Sequence, residues 1–483
     1  MDLELSLDPD DAPRLLRLPL LASATRGRAQ VRRIVWHDSA DAALTESGLA
    51  LSVEHGTWRL EKLVPEPVDF WPSGMPPPVL AEATAAEELR YDLPSPLASV
   101  VAFTGRQRNL VLETEQGSVT AGVVSGTLRA VTEEHHVTRV HLTGDERAVL
   151  QVALGLAAEA RLAVASATLA GEALSSARGT KPPARRLGAP VLPEGLNAAD
   201  AFAFALAHLT DVVLHFAPAA AEDLSGPEPV HQMRVALRRL RSMITVFRPR
   251  LDCPELQSVT AGLKALGQRL GPTRDWDVFL SDTLAPVSAA FPEDRRLARL
   301  VSAAVRRRRE CHAALWEFLE GAEFRRLGIE LAWLAGARCW HPPLPAEAER
   351  EVSLRGFAAD VLGHRLRKLH GGDDMAEQDA AGRHRLRLQV KRARYAAELF
   401  GSLYPGKPMR RLMHRLAGVQ DGLGSLNDLS TAETLLSELG GPTGRFGYAV
   451  GLVLGFTAAH STELLPRVMR RWARLQRADK PWE

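Results

Sequence analysis

The chain has 483 residues, enough for two to four domains with cores of their own, and carries 60 Lys+Arg against 58 Asp+Glu, a formal charge of +2. This small total hides a division, because residues 1–195 contain 19 basic and 25 acidic side chains (−6) and residues 196–483 contain the other 41 and 33 (+8). The charge therefore argues against anion binding in the N-terminal part and favours it in the C-terminal part.

The cysteines and the hydropathy bear on the compartment. Cys253, Cys311 and Cys339 are odd in number and widely spaced, with no CxxC pair, which excludes a disulfide framework and favours a reducing interior. The acidic N-terminus lacks a signal-peptide pattern, and the longest apolar run, near Tyr448–Phe456, is too short to span a bilayer. We therefore expect a cytoplasmic protein without a membrane partner, a cofactor or a bound metal.

Residues 1–171 have a β-rich pattern. Leu3 and Leu5 alternate with polar residues, Gln116-Gly117 is typical of a hairpin turn, and the Ala/Leu-rich segment Asp145–Ala165 is predicted as a helix. The predicted strands are Gln30–Trp36, Ala50–Glu54, Trp58–Lys62, Ser99–Phe103, Asn109–Thr114, Ser118–Val124 and Val137–Leu142. Together these segments predict an antiparallel sheet with helices.

The order of these features resembles a CYTH domain, the antiparallel tunnel fold of triphosphate-processing enzymes. Asp2-Leu-Glu4-Leu-Ser6 stands where that family has ExExK. Trp36-His37-Asp38 and Gly48-Leu-Ala-Leu51 stand at its aromatic-Asp-Thr and GLxLRxR strands. The resemblance implies carboxylates that hold a divalent metal and a ring of Lys and Arg that holds triphosphate.

Several of these positions depart from the CYTH pattern. Ser6 replaces the motif lysine, Ser52 and Glu54 replace the two arginines, and the late acidic strand reads Thr138-Arg-Val-His-Leu142 without an acid. The basic candidates that remain are Lys62, Arg106 and Arg108. We predict a degenerate domain kept as a scaffold or docking surface; the alternative is a metal-dependent triphosphate or polyphosphate hydrolase supplied with substrate by the C-terminal half.

Residues 172–197 are rich in Pro and Gly and are predicted to be a linker. Helical patterns follow, and the helix Glu255–Leu270 is predicted to stop at Gly271-Pro272. The other predicted helices are Ala201–Phe216, His231–Phe247, Trp276–Leu284, Ser302–Leu319, Phe324–Leu334, Val352–Leu369, His384–Leu403, Pro408–Leu416, Leu429–Leu439 and Tyr448–Trp472.

The helix that starts at His231 carries a basic stripe. Its polar residues follow steps of three, four and three, which at roughly 100° per residue places them within an arc of about 80°. They are His231, Arg234, Arg238 and Arg241, and the opposite face carries Met233, Leu237, Leu240 and Ile244. Like charges on one face repel one another, so we expect an anionic ligand along this stripe.

The same pattern occurs a second time, 153 residues later. His384, Arg387, Lys391 and Arg394 repeat the spacing, and Phe400 corresponds to Phe247. At the same offset the segment from Leu270 to Asp275 corresponds to the segment from Leu423 to Asp428. One constant offset across two separate motifs indicates an internal duplication.

These duplicated motifs, HxxRVxxRRLR with LGxxRD and HxxRxxxKRxRY with LGxxND, resemble the CHAD family of α-helical domains. The resemblance covers residues 198–483, with repeat one at 198–340 and repeat two at 350–483. It implies two pseudo-symmetric four-helix units that face each other across a basic channel binding inorganic polyphosphate. The whole chain is therefore expected to be an α+β protein of two domains.

The predicted polyphosphate-binding residues are the two stripes and four further basic side chains on neighbouring helices. Four adjacent arginines at 306–309 fan around a helix, so only one or two of them can face a channel. The predicted set is His231, Arg234, Arg238, Arg241, Lys264, Arg274, Arg306, Arg309, His384, Arg387, Lys391 and Arg394. The two histidines allow three interpretations, namely ligand contact, a structural role or metal ligation. Asp275 and Asp428 are expected to cap helices or orient an arginine, with Mg²⁺ contact as the alternative.

Three functions follow from these features. The first is non-catalytic binding of inorganic polyphosphate, with tethering to polyphosphate granules. The second is the hydrolase described above. The third, nucleic-acid binding, is disfavoured because the basic helices carry almost no aromatic side chains on which bases could stack, Tyr395 being the one candidate.

Overall fold

The computed structural model describes residues 1–92, 96–131, 133–222, 226–340, 353–371, 378 and 380–483. The side chains at 9, 89–92, 380, 381, 425, 427–429 and 460–463 lie outside the described set, and so does the expected role of the Asp428 carboxylate. The α+β prediction is confirmed: an antiparallel sheet domain precedes a helical region.

Within the described residues, ten strands form one antiparallel sheet in the order β10-β1-β9-β8-β7-β3-β4-β5-β6, with β2 paired to β7. The strands are β1 Asp2–Leu7, β2 Thr25–Arg26, β3 Gln30–Asp38, β4 Leu49–Glu54, β5 Thr57–Lys62, β6 Val79–Glu82, β7 Ala98–Thr114, β8 Gly117–Ala130, β9 Glu134–Gly144 and β10 Leu162–Val164. The helices of this domain are α1 Ala12–Leu15, α2 Pro19–Ala22, α3 Ala43–Glu46, α4 Ala83–Asp92, α5 Glu146–Glu159 and α6 Leu169–Ala177.

The alternation along β1 separates the two faces of the sheet. Leu3 and Leu5 are buried in a core shared with helix α5. The intervening Glu4 lines a cavity on the other face, together with residues of β3, β4 and β5. The sheet therefore packs on its helix with one face and encloses a polar space with the other.

Two predictions in this domain need correction. The predicted strands Ser99–Phe103 and Asn109–Thr114 are one continuous strand, β7, because its pairing with β8 runs without interruption from residue 101 to 114. The predicted helix Asp145–Ala165 ends at Glu159, and its last residues form β10, which pairs with β1. Helix propensity is a weak preference, and pairing at the sheet edge overrides it here. The hairpin predicted at Gln116-Gly117 is confirmed.

The helical region contains long helices joined by short connections. They are α7 Ala198–Ala221, α8 Glu228–Phe247, α9 Pro254–Val278, a π-helical turn Phe279–Leu284, α10 Ala285–Ala290, α11 Arg295–Glu320, α12 Ala322–Ala337, α13 Leu354–His370, α14 Ala380–Phe400, a 3₁₀ turn Gly401–Leu403, α15 Lys407–Glu438 and α16 Gly447–Gln476. The offset of 153 residues recurs in the helix ends. Helix α8 ends at Phe247 and α14 at Phe400, and α9 begins at Pro254 and α15 at Lys407.

The predicted helix stop at Gly271-Pro272 is wrong, because α9 continues to Val278. Pro272 lacks the N–H that would bond to the carbonyl four residues earlier, but it lies on the exposed side of the helix, where water can replace that donor. Thr273 and Trp276 in the following turn are fully buried, and their packing stabilises the continuation. Similarly, the predicted helices Pro408–Leu416 and Leu429–Leu439 are parts of the single helix α15.

Helix α7 forms the centre of the helical core. Among the described helices it is the one long and apolar enough to cross a membrane, but 78% of its most apolar 18-residue segment is buried inside the protein. Phe202 on α7 contacts Phe247 at 5.4 Å between ring centroids, and Phe247 contacts Phe400 at 6.0 Å. These rings join the ends of the two basic helices within one core.

Buried polar contacts connect the sheet domain, the linker and the helical region. The Nε atom of Arg185 in the linker lies 3.2 Å from Oδ1 of Asp211 on α7, and its guanidinium stacks over Trp71 at 4.3 Å. Ser73 donates a hydrogen bond to the same carboxylate. The first residues of the predicted linker, 172–177, belong to helix α6.

Candidate functional site

The two basic helices α8 and α14 pack against each other in the helical region. Met233, Leu237 and Leu240 of α8 are buried in the core that also contains Val390 and Ala397 of α14. Burial of the apolar faces directs the basic stripes away from this core, as the helical spacing requires.

A cavity of about 360 Å³ lies beside these helices, and we name it the α8–α14 cavity. It collects five of the twelve predicted ligand-binding residues, including the equivalent pair Arg234 and Arg387. Its lining is His231, Arg234, Arg238, Arg274, Asp275, Val278, Phe279, Thr283, Arg387, Asp421, Gly424, Thr431 and Ala432.

Arg234 is positioned by two features of helix α9. Its Nη2 atom donates a hydrogen bond of 3.2 Å to Oδ1 of Asp275. Its Nη1 atom lies 3.2 Å from the place where a Cβ atom would stand at Gly271. The glycine of the LGxxRD motif thus leaves room for a guanidinium, and the aspartate of the same motif orients it, as expected for Asp275.

Arg238 is enclosed in the cavity wall. Its Nε atom is buried and has no hydrogen-bond acceptor among the residues that the structure describes. The guanidinium carbon of Arg238 lies over the ring of Tyr395, 6.0 Å from its centroid, at the distance of a cation–π contact. Burial lowers the pKa of Arg238, and the nearby Arg234 and Arg387 add to this effect.

Lys391 is the residue equivalent to Arg238 in the second repeat. It does not line the cavity, but burial lowers its pKa from 10.5 to about 8, and repulsion from Arg387, Arg238 and Arg234 contributes. Burial also raises the pKa of Asp275, against the opposing effect of four neighbouring cations that include Lys391. One aspartate therefore stands among several cations, and their repulsion is only partly compensated.

The two stripe histidines occupy different environments. His231 is half-buried in the cavity wall, and burial together with the charge of Arg274 lowers its pKa. His384 is exposed at the first turns of α14 and does not line the cavity. The structure thus places only the first histidine beside the clustered arginines.

The remaining predicted residues lie around or away from the cavity. Arg241 of α8 is exposed, and its Nη1 atom lies 3.7 Å from the place where a Cβ atom would stand at Gly267 of α9. Lys264 is also exposed on α9. Arg306 lines a separate cavity of about 480 Å³ together with Arg296, Arg299 and Arg445. Arg309 is exposed on α11.

Arg394 is paired with acids instead of facing the cavity. Its Nε atom donates a hydrogen bond of 2.8 Å to Glu398, and its Nη1 atom lies 3.7 Å from Asp421. Glu398 also accepts a hydrogen bond of 2.9 Å from Arg239 of α8, so it bridges the two basic helices. Glu398 and Asp421 belong to no repeated acidic motif, because the residues 153 positions earlier are Thr245 and Gln268. These two acids could therefore not be predicted from the duplication.

Arginines in and beside the cavity of the sheet domain are paired with acids of the same domain. Arg32 forms a bidentate pair with Glu54, at 2.6 and 2.5 Å. Arg139 lies 3.2 Å from Glu4 and also donates to Glu172. The sheet is consistent with the CYTH-like fold, but acids now stand opposite the cavity arginines, so little net positive charge remains for a triphosphate.

The three basic candidates of the sheet domain are placed elsewhere. The Nζ atom of Lys62 donates to Glu66 at 2.9 Å and to Asp69 at 2.7 Å. Neither Arg106 nor Arg108 lines the cavity of the sheet domain.

Comparison with known proteins supports the assignment of the helical region. Residues 203–437 match the family model described as the CHAD domain. The crystal structure of the CHAD domain from the plant Ricinus communis is 29% identical over 61% of this chain and 97% of that chain, with a TM-score of 0.53. PptA from Streptomyces chartreusis is 17% identical over 58% of this chain and 100% of its own, with a TM-score of 0.43. None of the curated proteins matches the sequence.

Proposed function

We propose that this chain, in which residues 203–437 form a CHAD domain, binds inorganic polyphosphate in the α8–α14 cavity without acting on it chemically. The observation that carries the proposal is the guanidinium of Arg238, whose buried Nε–H lacks an acceptor among the described residues. A buried donor without a partner costs about 1–3 kcal/mol. A phosphate oxygen in the cavity would supply a charge-assisted hydrogen bond at this position.

The charge balance of the cavity supports an anionic ligand. Four arginines line it and Lys391 stands close by, whereas the acids in the lining are Asp275 and Asp421. The pKa of Lys391 is lowered to about 8, first by burial and then by repulsion from the neighbouring arginines, so part of this lowering reflects the cost of keeping these cations together. Polyphosphate would reverse that cost, because its negative charge compensates several cations at once.

The shape of the cavity supports a thin, unbranched ligand. Arg234 and Arg387, equivalent in the two repeats, both line a space of about 360 Å³. Arginine forks from both repeats match phosphate oxygens, as a chain of phosphates requires. A nucleic-acid duplex is much wider than this cavity, and Tyr395 is already covered by Arg238.

The ion pairs of the sheet domain support a non-catalytic role. Arg32 in its cavity is paired with Glu54, and Arg139 beside the cavity is paired with Glu4 and Glu172. These ion pairs favour neither a basic ring for triphosphate nor a set of carboxylates for metal. We therefore propose that this domain is a scaffold or docking surface. In the cytoplasm, the chain would be retained on polyphosphate granules through its helical region.

A charge-reversal variant tests the proposal. Replacing Arg234 and Arg238 with Glu should abolish retention of polyphosphate in a gel shift, while circular dichroism remains helical. The control replaces the exposed Arg410 and Arg411 of α15 with Glu, which changes the net charge equally. Undiminished binding by the first variant, or equal losses in both, would show that the cavity is not the site.

Two further measurements define the ligand and the chemistry. Competition at fixed salt should show that polyphosphate displaces single-stranded DNA and is not displaced by it, since salt sensitivity alone is common to all polyanions. Incubation with tripolyphosphate and Mg²⁺ or Mn²⁺ should release no phosphate. Phosphate release that is lost in Glu4→Gln would establish the hydrolase instead.

A further inference from the structure

Two cysteines that are 86 residues apart in the chain meet beside a glutamate. The Sγ atoms of Cys253 and Cys339 are 3.5 Å apart, and Sγ of Cys339 is 3.8 Å from Oε2 of Glu255. Within the part of the chain that the structure describes, this is the cluster in which three metal-ligating side chains approach one another within 4.8 Å. Neither cysteine belongs to a close CxxC pair, so this cluster could not be predicted from the sequence.

The backbone holds Cys339 in this position. Arg338 adopts a left-handed conformation (φ +51°) at the end of helix α12 and turns the chain toward the start of α9. Its Nη1 atom is fixed 2.5 Å from Oδ1 of Asp200. On the other side of the cysteine, Trp340 is buried edge-on against Phe202, with centroids 4.9 Å apart. The contacts of Arg338 and Trp340 restrict the position of the Cys339 thiol between them, so the cluster is formed before any ligand binds.

Cys253 and Glu255 are placed by the first turn of helix α9. Cys253 is buried at the N-cap position with extended backbone, and Glu255 follows in the first turn. The positive end of the α9 helix dipole lies beside the Cys253 thiol and favours its thiolate form. Arg147 of α5 lies 3.8 Å from Oε1 of Glu255, which leaves Oε2 directed at the thiols.

The distances fit tetrahedral coordination better than a disulfide. Zn–S bonds of about 2.3 Å and Zn–O bonds of about 2.1 Å imply separations of about 3.8 Å between two sulfurs and about 3.6 Å between sulfur and oxygen. The observed separations are 3.5 and 3.8 Å. A disulfide would require the sulfurs to approach to about 2.05 Å.

We propose that Cys253, Glu255 and Cys339 bind one Zn²⁺ ion, with water in the fourth position. Both thiols lose their protons to solvent when the ion binds, and no atom changes oxidation state. The ion would tie the end of α12 to the start of α9, next to α5 of the sheet domain. This site is separate from the α8–α14 cavity, and it stands whether or not that cavity binds polyphosphate.

Metal titration of the full chain tests the site. The reduced, metal-free protein should bind one equivalent of Zn²⁺ and release two protons in a pH-stat measurement. Co²⁺ should give thiolate-to-metal charge-transfer absorption in the near ultraviolet. Cys253→Ser and Cys339→Ser should lose that absorption, whereas Cys311→Ser, which removes the half-buried thiol on α11, should keep it.

A milder variant covers the case in which a cysteine variant does not fold. Glu255→Gln keeps the side-chain shape and should weaken Zn²⁺ binding at least tenfold, measured by competition with a chelating dye. No charge-transfer band in the parent protein, or equal Zn²⁺ affinity in the parent and Glu255→Gln, would overturn the proposal. It would be overturned equally if the air-purified protein held no zinc and two of its three thiols resisted titration until reduction, because that pattern identifies a disulfide.

Discussion

Lys391 provides the sharpest test of the electrostatics at the α8–α14 cavity. Its pKa is lowered from 10.5 to about 8, first by burial and then by the neighbouring arginines. A difference of about 2.5 pH units corresponds, at 1.36 kcal/mol per unit, to about 3 kcal/mol as an upper limit for the cost of the charged form. Solvent screening reduces this value, and we expect roughly 1–2 kcal/mol.

Lys391→Met removes that cost and should make the ligand-free protein more stable at pH 7. Because the folded-state pKa is lowered, the stability associated with this lysine is fully present above pH 10.5 and is lost progressively as the pH falls from 10.5 to about 8. The advantage of the variant should therefore be largest at pH 7 and shrink between pH 8 and 10. Added polyphosphate should reverse the order, because the ligand stabilises the parent protein more strongly.

Urea denaturation at pH 7 and pH 10, with and without polyphosphate, measures these differences. Lys264→Met is the matched control, since Lys264 is exposed on α9 and its loss should change the free energy of unfolding by less than about 0.5 kcal/mol. Lower stability of Lys391→Met than of the parent protein at pH 7, or an equal advantage of the variant at both pH values, would refute this electrostatic role of Lys391.

Three further predictions concern the same site. Gly271→Ala places a methyl group 3.2 Å from Nη1 of Arg234 and should weaken polyphosphate binding several-fold in a fluorescence titration. Gly451→Ala, a helical glycine with open space around it, is its control, and equal affinities of the two variants would contradict the role of Gly271. Polyphosphate binding near pH 8.5 should take up protons, because the ligand raises the lowered pKa of Lys391. The affinity for polyphosphate should therefore fall from pH 8 to pH 10. Calorimetric binding enthalpies that do not depend on the buffer would argue against this proton uptake. Glu398→Gln leaves two guanidinium groups without their shared carboxylate and should destabilise the chain by roughly 2–3 kcal/mol, so an unchanged urea midpoint would rule out the bridge between α8 and α14.

The acids near the cavity bear on how it works. Asp275 accepts a hydrogen bond from Arg234, and Glu398 accepts one from Arg394, so each acid holds one arginine in place. They neutralise part of the stripe but leave Arg238 and Lys391 without a carboxylate hydrogen bond within the described residues. Because the acids compensate only part of the positive charge, they hold the arginines in position and still leave cations that an anionic ligand can bind.

The sequence could predict the elements whose signals are local. Helical spacing identified both basic helices, and the offset of 153 residues predicted the correspondence of Phe247 with Phe400, whose rings are in contact. The helix end predicted at Pro272 is wrong, because Trp276 in the next turn is buried and the local sequence does not show that burial. Local preferences of this kind are weak compared with burial in a core.

By itself, the sequence determined the duplication, the two stripes and the division between a sheet domain and a helical region. These features depend on periodicities and repeated motifs that a single chain displays directly. Only the tertiary structure decided that Arg238 is enclosed while His384 is exposed, that Arg306 belongs to another cavity, and that Cys253 meets Cys339. The physical reason is that such contacts depend on how helices distant in the sequence pack, and side-chain spacing within one helix carries no information about its neighbours.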